Sequence, residues 1–576
     1  MPLDRCLFAA QLDSSADRAA VEARVARLRR LYGRLGEVHV ETAFLEQPRV
    51  LLGVLRVGGE ARLGPVTWWG ARLPARWRDA RVLAESGAAE LRDLPDSLAV
   101  MAHVDDRVIL ITGPGGLQAL FRCRGDGVTA WSTHALAAAV IARAHAEVDH
   151  AAVASLITWE FVAGDATLLH GTRAVAPASR IELDPGGASE TVCWEGRDRW
   201  APLPPQQAHR EAERALLGSL SASLSAARRP VLGLTGGVDS RAVAVALREL
   251  GIDVAALTYL SDAAAYADAE AAAGIATRLG LAHDVARLSP RPASHARAEA
   301  LWTDGAAPIG LGHVAWPRGI SHWIVGVGGE VGRAFYYRWT GPRSPSASPR
   351  LLERVMLADL ELDLGGADPE VRRRLRDTLR ELLAEAATSG HRGWSVLDVL
   401  YGEQRVRRWA RAMAPRLGAD WVAPFASQRV MRALASLPLE DRRSDGFARR
   451  FIAARVPELV PQPPPAPRRR PLPPLLRREA VLAARRARRA LGLPPLGRRD
   501  AEPWYRRPPW SDRREFVDWL IDGVLASRLL EEAMGGGWLR ETRRNFLRGE
   551  PHAAYLASWA AGPVALAEEL AAGARR

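Results

Sequence analysis

The chain has 576 residues, too many for one ordinary hydrophobic core, so two or three domains are expected. Apolar residues make up 48% and charged residues 25%, the balance of an ordinary globular protein, and no apolar run is long enough to span a bilayer. The formal net charge is +13, and every basic side chain other than histidine is arginine, which excludes a lysine base, nucleophile or phosphate clamp.

Residues 1–6 show no cationic segment followed by an apolar core, so no secretory signal is expected. Cys6, Cys123 and Cys193 are too few and too scattered for a disulfide framework or a zinc site, and a cytoplasmic location is expected. The pattern then predicts a helix over 14–35 and strands over 50–57, 97–104 and 107–112. The Gly-Pro-Gly-Gly run at 113–116 reads as a turn, 117–123 as another strand and 133–146 as a helix. Residues 202–205 form a linker, after which helices alternate with short apolar runs. Strands are expected at 231–234, 253–259, 283–288 and 320–327, with helices at 241–250 and 265–279. Such alternation implies a parallel sheet with right-handed crossovers, whose ligands bind beyond the carboxyl ends of the strands. Residues 351–436 read as helical without strands. The Pro- and Arg-rich run at 461–474 reads as stiff and polyproline-like. A helix at 475–491 carries Arg477, Arg478, Arg485, Arg486, Arg488 and Arg489, read as a solvated face, with an acidic partner or nucleic acid as the alternative.

The most informative stretch is 231–241. A strand ending at Leu234 enters a Thr235-Gly236-Gly237 turn, and Asp239, Ser240 and Arg241 open a helix. A strand feeding a glycine turn and a helix start presents free backbone N–H groups and a positive dipole end. Thr235 and Ser240 add hydroxyls, Asp239 can hold a Mg²⁺ that bridges phosphates, and the glycines let phosphates approach closely. The spacing differs from the G-x-x-x-x-G-K-S/T loop of ATP-hydrolysing enzymes and resembles the S-G-G-x-D-S loop of the N-type ATP pyrophosphatases.

The order of features resembles asparagine synthetase and its relatives over most of the chain. The segments 107–121, 131–134 and 168–183 are similar to that family's N-terminal half; 235–240, 266–270 and 421–438 are similar to its synthetase half. The resemblance implies an α/β protein with a degenerate glutaminase-like domain at 1–201, an αββα antiparallel sandwich. It implies a parallel-sheet ATP pyrophosphatase domain with added helices at 202–460, and a Pro/Arg-rich segment with a further helical part at 461–576. ATP and Mg²⁺ are the implied cofactors. Leu234, Thr235, Gly236, Gly237, Asp239, Ser240, Arg241, Thr258, Gly328 and Gly329 are the implied nucleotide-binding residues.

Departures from the family carry functional content. Its glutaminase uses a cysteine at position 2, where this chain has Pro2, so this half is expected to be catalytically silent. β-Lactam synthetases and lasso-peptide cyclases share that loss and use an amine carried by the substrate. The family's second motif, G-E-G-x-D-E, aligns without gaps on 326–331 and places Glu330 with Asp239 as the two metal carboxylates; a shifted register instead places Arg333 at the metal position. Arg449, Arg450 and Arg468 to Arg470 are the candidates to replace the family's lysine. Tyr336, Tyr337 and Arg338 are expected near the acceptor pocket, and Glu403 is a candidate general base, with a solvated helical glutamate as the alternative.

The implied chemistry is two-step: a carboxylate attacks the α-phosphorus of ATP, and an amine then displaces AMP to form an amide. The expected partners are a small-molecule or peptide carboxylate and an amine, with a precursor peptide or partner protein as alternatives. Neither a membrane nor a nucleic acid is expected. The competing readings are a glutamine-dependent asparagine synthetase, an RNA-modifying enzyme, and an ATP-binding scaffold without catalysis.

Overall fold

Apolar side chains alternate along the first strands, and that alternation sorts them onto two faces. The computed structural model describes residues 5–70, 73–225, 227–260, 265–289, 293–309, 313–314, 319–337, 346–364, 366–410, 419–460 and 514–574. Within it, β1 (Arg5–Leu12), β2 (Val38–Leu45), β3 (Val50–Val57), β7 (Phe121–Gly125), β8 (Val128–Ser132) and β9 (Thr172–Ala174) form one antiparallel sheet, ordered β2-β3-β1-β8-β7-β9. A second antiparallel sheet runs β11-β10-β6-β5-β4, from β4 (Val66–Gly70), β5 (Leu98–Val104), β6 (Arg107–Thr112), β10 (Ser179–Asp184) and β11 (Gly187–Val192).

Leu7, Ala9, Leu52, Val54, Met101, Leu110 and Ile181 form one buried cluster between these sheets. The intervening residues Cys6, Phe8 and Ala10 face the other way, into a cluster shared with the helices Arg18–Tyr32 and Ala135–Ala142. On the far side of the second sheet, Val100, Ile109 and Ile111 pack with Trp77 and Leu83. Helices therefore cover both outer faces of a two-sheet stack.

The third sheet is parallel at its centre. Its order is β15-β14-β13-β12-β16-β17, with β12 at Pro230–Gly233, β13 at Ala255–Leu260, β14 at His283–Ser289, β16 at His322–Ile324 and β17 at Asp420–Val422. All neighbouring pairs are parallel except that of β14 with the two-residue β15 (His313–Val314). Strands buried on both faces need continuous apolar runs, and Leu232, Leu234, Ala256, Leu257, Trp323 and Ile324 are all buried. The chain builds outward from β12 through β13 and β14, then returns to the other side of β12 with β16 and β17. Strand order thus reverses between β12 and β16, which opens a crevice at their carboxyl ends.

Several elements depart from the sequence expectation. The helix expected at 14–35 spans Arg18–Tyr32, because Asp17 caps it by accepting from the Ala19 N–H. The strand at 117–123 starts only at Phe121, after Gly116 takes φ +65°. The expected strand at 320–327 shrinks to His322–Ile324. Residues 351–436 are not purely helical, since β17 lies within them, specified by pairing to β16 rather than by local pattern. The Pro/Arg-rich run and the helix expected at 475–491 lie outside the described residues. No described helix is long and apolar enough to cross a membrane.

Candidate functional site

Leu234 is buried at the end of β12, and its N–H donates to Leu257 O of β13. Thr258 braces the same point, with Oγ1 donating to Leu234 O at 2.7 Å and lying 2.8 Å from His283 Nε2. It supports the loop from beneath. The turn is tied internally: Thr235 Oγ1 and Ser240 Oγ are 2.9 Å apart, and Gly237 N–H donates to Thr235 Oγ1 at 3.1 Å. Arg241 donates to Gly236 O at 2.9 Å and to Leu459 O at 2.7 Å, so its guanidinium holds the loop's shape. Burial pulls the Arg241 guanidinium below its ordinary range, with Arg278 adding to the effect. Gly236 N–H points at Asp268, whose Oδ1 accepts at 2.6 Å. A carboxylate of the protein itself thus occupies a donor that an anion would use. Asp268 lies within the 266–270 segment that carried the family resemblance; its contact with the loop is new.

The second glycine turn follows β16 and packs directly on the first. A side chain at Gly326 would fall 2.8 Å from Ser240 N, and one at Gly329 would fall 2.5 Å from Asp239 Cγ. Gly328 has φ +98°, and a Cβ there would lie 2.6 Å from Ala426 N. These positions leave room for hydrogen only, which is why three glycines converge here. Asp239, Ser240, Gly328, Gly329 and Glu330 are therefore neighbours, although the two segments are some 90 residues apart in sequence.

Arg333 completes the cluster. Its Nη2 lies 2.8 Å from Asp239 Oδ2 and 3.5 Å from Glu330 Oε1, while Glu330 Oε2 accepts from Gly328 N–H at 2.9 Å. Burial pulls the Arg333 guanidinium down, but Asp239 and Glu330 outweigh it and hold it above its ordinary value. A protein-held Mg²⁺ demands near-octahedral oxygen ligands. Here the carboxylates expected to supply them are both paired to one guanidinium, so these residues do not fit that ion. Among the described residues no group of three or more His, Cys, Asp or Glu side chains is placed to hold a metal. Arg333, three residues after Glu330 and the residue that the shifted register singles out, lies against both carboxylates.

Glu403 stands elsewhere. It lies in the π-helical segment Tyr401–Ala410 and pairs with Arg199 at 3.1 Å, with Arg407, and with Trp200 Nε1. Burial pushes its carboxyl up, but Arg407 and Arg199 overcome this and hold it at about 2. A carboxylate so weakly basic is unsuited to deprotonating an amine, and neither the general-base expectation nor the solvated alternative describes it. Arg450 is bound to Asp441 and His209. Arg449 shares its helix, Gly446–Ala453, which packs against the helix Val238–Glu249 that follows the loop. Tyr337 is buried, donating to Asp398 at 2.5 Å and stacking on Trp394, so it belongs to the core. Burial raises the Asp398 carboxyl to about 7 against the pull of Arg442. Tyr336 is half-buried beside Tyr401, with burial pushing its hydroxyl to about 12. Arg338 and Arg468 to Arg470 lie outside the described residues.

In the antiparallel sheets, Cys6 is fully buried near the start of β1 opposite Leu55, with Sγ 3.2 Å from Ser132 Oγ. Cys123 and Cys193 are buried and, like Cys6, form no disulfide.

No family model and no curated protein matches the chain. Among solved structures, the allosteric regulatory enzyme of purine biosynthesis is 13% identical, covering 56% of this chain and 74% of its own, at a TM-score of 0.22. The glutamine phosphoribosylpyrophosphate amidotransferase from B. subtilis, complexed with ADP and GMP, is 11% identical, covering 57% and 77%, at 0.21. Superpositions this loose carry no correspondence between residues.

Proposed function

We propose that this chain is an ATP-dependent amide-bond synthetase that releases AMP and pyrophosphate. One observation carries the reading: both glycine turns leave the carboxyl ends of adjacent strands where strand order reverses, and they pack against each other there. A short loop with a helix start behind it suits the β- and γ-phosphates as a leaving group, leaving the α-phosphorus open to attack. In the first step a carboxylate oxygen bonds to the α-phosphorus while the bridging bond to the β-phosphate oxygen breaks. In the second, an amine nitrogen bonds to the acyl carbon, the bond to AMP breaks, and the amine proton passes to solvent. The chain's own residues bind and orient: backbone N–H groups of the loop, the hydroxyls of Thr235 and Ser240, and the guanidinium of Arg333. In this reading residues 1–201 brace the synthetase unit at 202–460, and 461–576 completes it.

The substrate is a small-molecule or peptide carboxylate, and the amine is carried on the same molecule or on a second one. The test supplies candidate carboxylates and amines with α-labelled ATP and resolves the nucleotide products. Labelled AMP with amide formation supports the reading, and labelled ADP as the main product overturns it. A second reading, an ATP-binding unit without turnover, draws on Arg333 and Asp268 filling the loop's polar positions. ATP that binds and is recovered intact favours it.

A further inference from the structure

The cluster at the head of the two glycine turns holds a cation already, and that cation is part of the chain. We propose that Arg333 is the resident cation of this site, supplying through its guanidinium the positive charge that meets a pyrophosphate group, in place of a divalent metal held by Asp239 and Glu330. The inference rests on the phosphate-site reading above and says which group does the binding.

Three features carry it. Asp239 and Glu330 converge on the same nitrogen of Arg333, at 2.8 and 3.5 Å, and Gly329 lies so close under Asp239 that a Cβ there would fall 2.5 Å from its Cγ. Arginine has five N–H donors in a planar fork, and both contacts run through Nη2. The Nε is buried with no hydrogen-bond partner among the described residues, so the fork is not saturated. The side chain as a whole is 29% exposed. A guanidinium pairs phosphate oxygens two at a time, and in a chain without lysine it is the available cation for that task.

The charges also predict which contact yields. Two carboxylates face the one guanidinium, and Asp445 lies near enough to add to their pull on it. An arriving polyanion must loosen one pair, and the longer one, to Glu330, is the weaker. Glu330 retains its bond from Gly328 N–H and stays in place as Arg333 turns to the ligand. A metal site requires the opposite behaviour, because there Glu330 attracts the ligand through the ion.

Calorimetric titration of the full chain with inorganic pyrophosphate, in EDTA and again in Mg²⁺, separates the two. The expected results are binding in EDTA, weakening of about tenfold or more in Arg333→Gln, and tightening of roughly threefold in Glu330→Gln, where a repelling charge is gone. If Arg333→Gln fails to fold, the sign of the Glu330→Gln effect decides alone. Binding that appears only with Mg²⁺ and falls in Glu330→Gln overturns the role of Arg333 while leaving the phosphate site standing. No binding by any form in either condition overturns the phosphate site and this inference with it.

Discussion

Glu403 keeps its charge down to about pH 2 because Arg407 and Arg199 surround it, and its partners lie in sequence as far as 204 residues away. The Arg407 contact is an i,i+4 spacing within one helical segment, but no local pattern shows the pairing with Arg199 that encloses the carboxylate. A carboxyl depressed from 4.5 to about 2 contributes stability that is fully present above about pH 4.5 and is lost as pH falls toward 2. Glu403→Gln is therefore expected to cost about 3 kcal/mol at pH 7, since it leaves two buried guanidinium groups short of a partner. It should also flatten the acid limb between pH 4.5 and 2, read by urea unfolding across that range. Unchanged stability with lost turnover would instead return Glu403 to the substrate. Gly328 is a second residue-scale test. Its φ of +98° and the backbone of Ala426 at 2.6 Å from a Cβ leave Gly328→Ala no place to relax. A loss of about 2–4 kcal/mol is expected in chemical denaturation, against no loss for Gly218→Ala, inside the helix Pro205–Leu224, where nothing lies within 4 Å.

At the scale of elements, the strand-turn-helix at 231–250 was readable because its signals are local: an apolar run, two glycines, then Asp239 and Ser240. The helix Ala265–Leu279 and the strand His283–Ser289 were readable for the same reason. The three-residue β17 was not, since Asp420, Trp421 and Val422 carry no alternation and owe their conformation to β16. Nor was the bond that ties the helix Ala265–Leu279 to the loop, because Asp268 looks in sequence like any other first-turn carboxylate. Asp268 accepts from Gly236 N–H and so competes with an incoming anion for it. Asp268→Asn keeps an acceptor but removes the charge, and pyrophosphate should bind roughly threefold tighter. The gain should shrink in high salt, where the charge term is screened. Weaker binding would show that the carboxylate props the loop open for its ligand.

Across the whole molecule, the antiparallel and parallel sheets are joined by polar contacts that span long stretches of sequence. Asp304 accepts from the N–H groups of Ala135 and Leu136, both at 2.9 Å, and so caps a helix 169 residues before it. Arg407 donates to Gly115 O, and Gln428 N–H to Asp96. The turn at 113–116 was legible; its docking against Arg407 was not, because docking depends on the assembled fold. The antiparallel half should release no glutamate from glutamine. A glutaminase built on an N-terminal cysteine needs a free α-amine beside its thiol, and the nitrogen of Cys6 is an amide within β1. Glutamate release that disappears in Cys6→Ala would overturn this expectation.

The burial of all three thiols gives the protein an internal clock. Cys6 and Cys123 are fully enclosed and Cys193 is nearly so, so a thiol-reactive dye can reach them only while the surrounding sheet is open. The labelling rate at each position then measures how often that part of the antiparallel stack opens, without any introduced cysteine. Cys6 and Cys123 share one sheet and Cys193 follows the last strand of the other, so their separate rates would tell whether the two layers part together or one at a time.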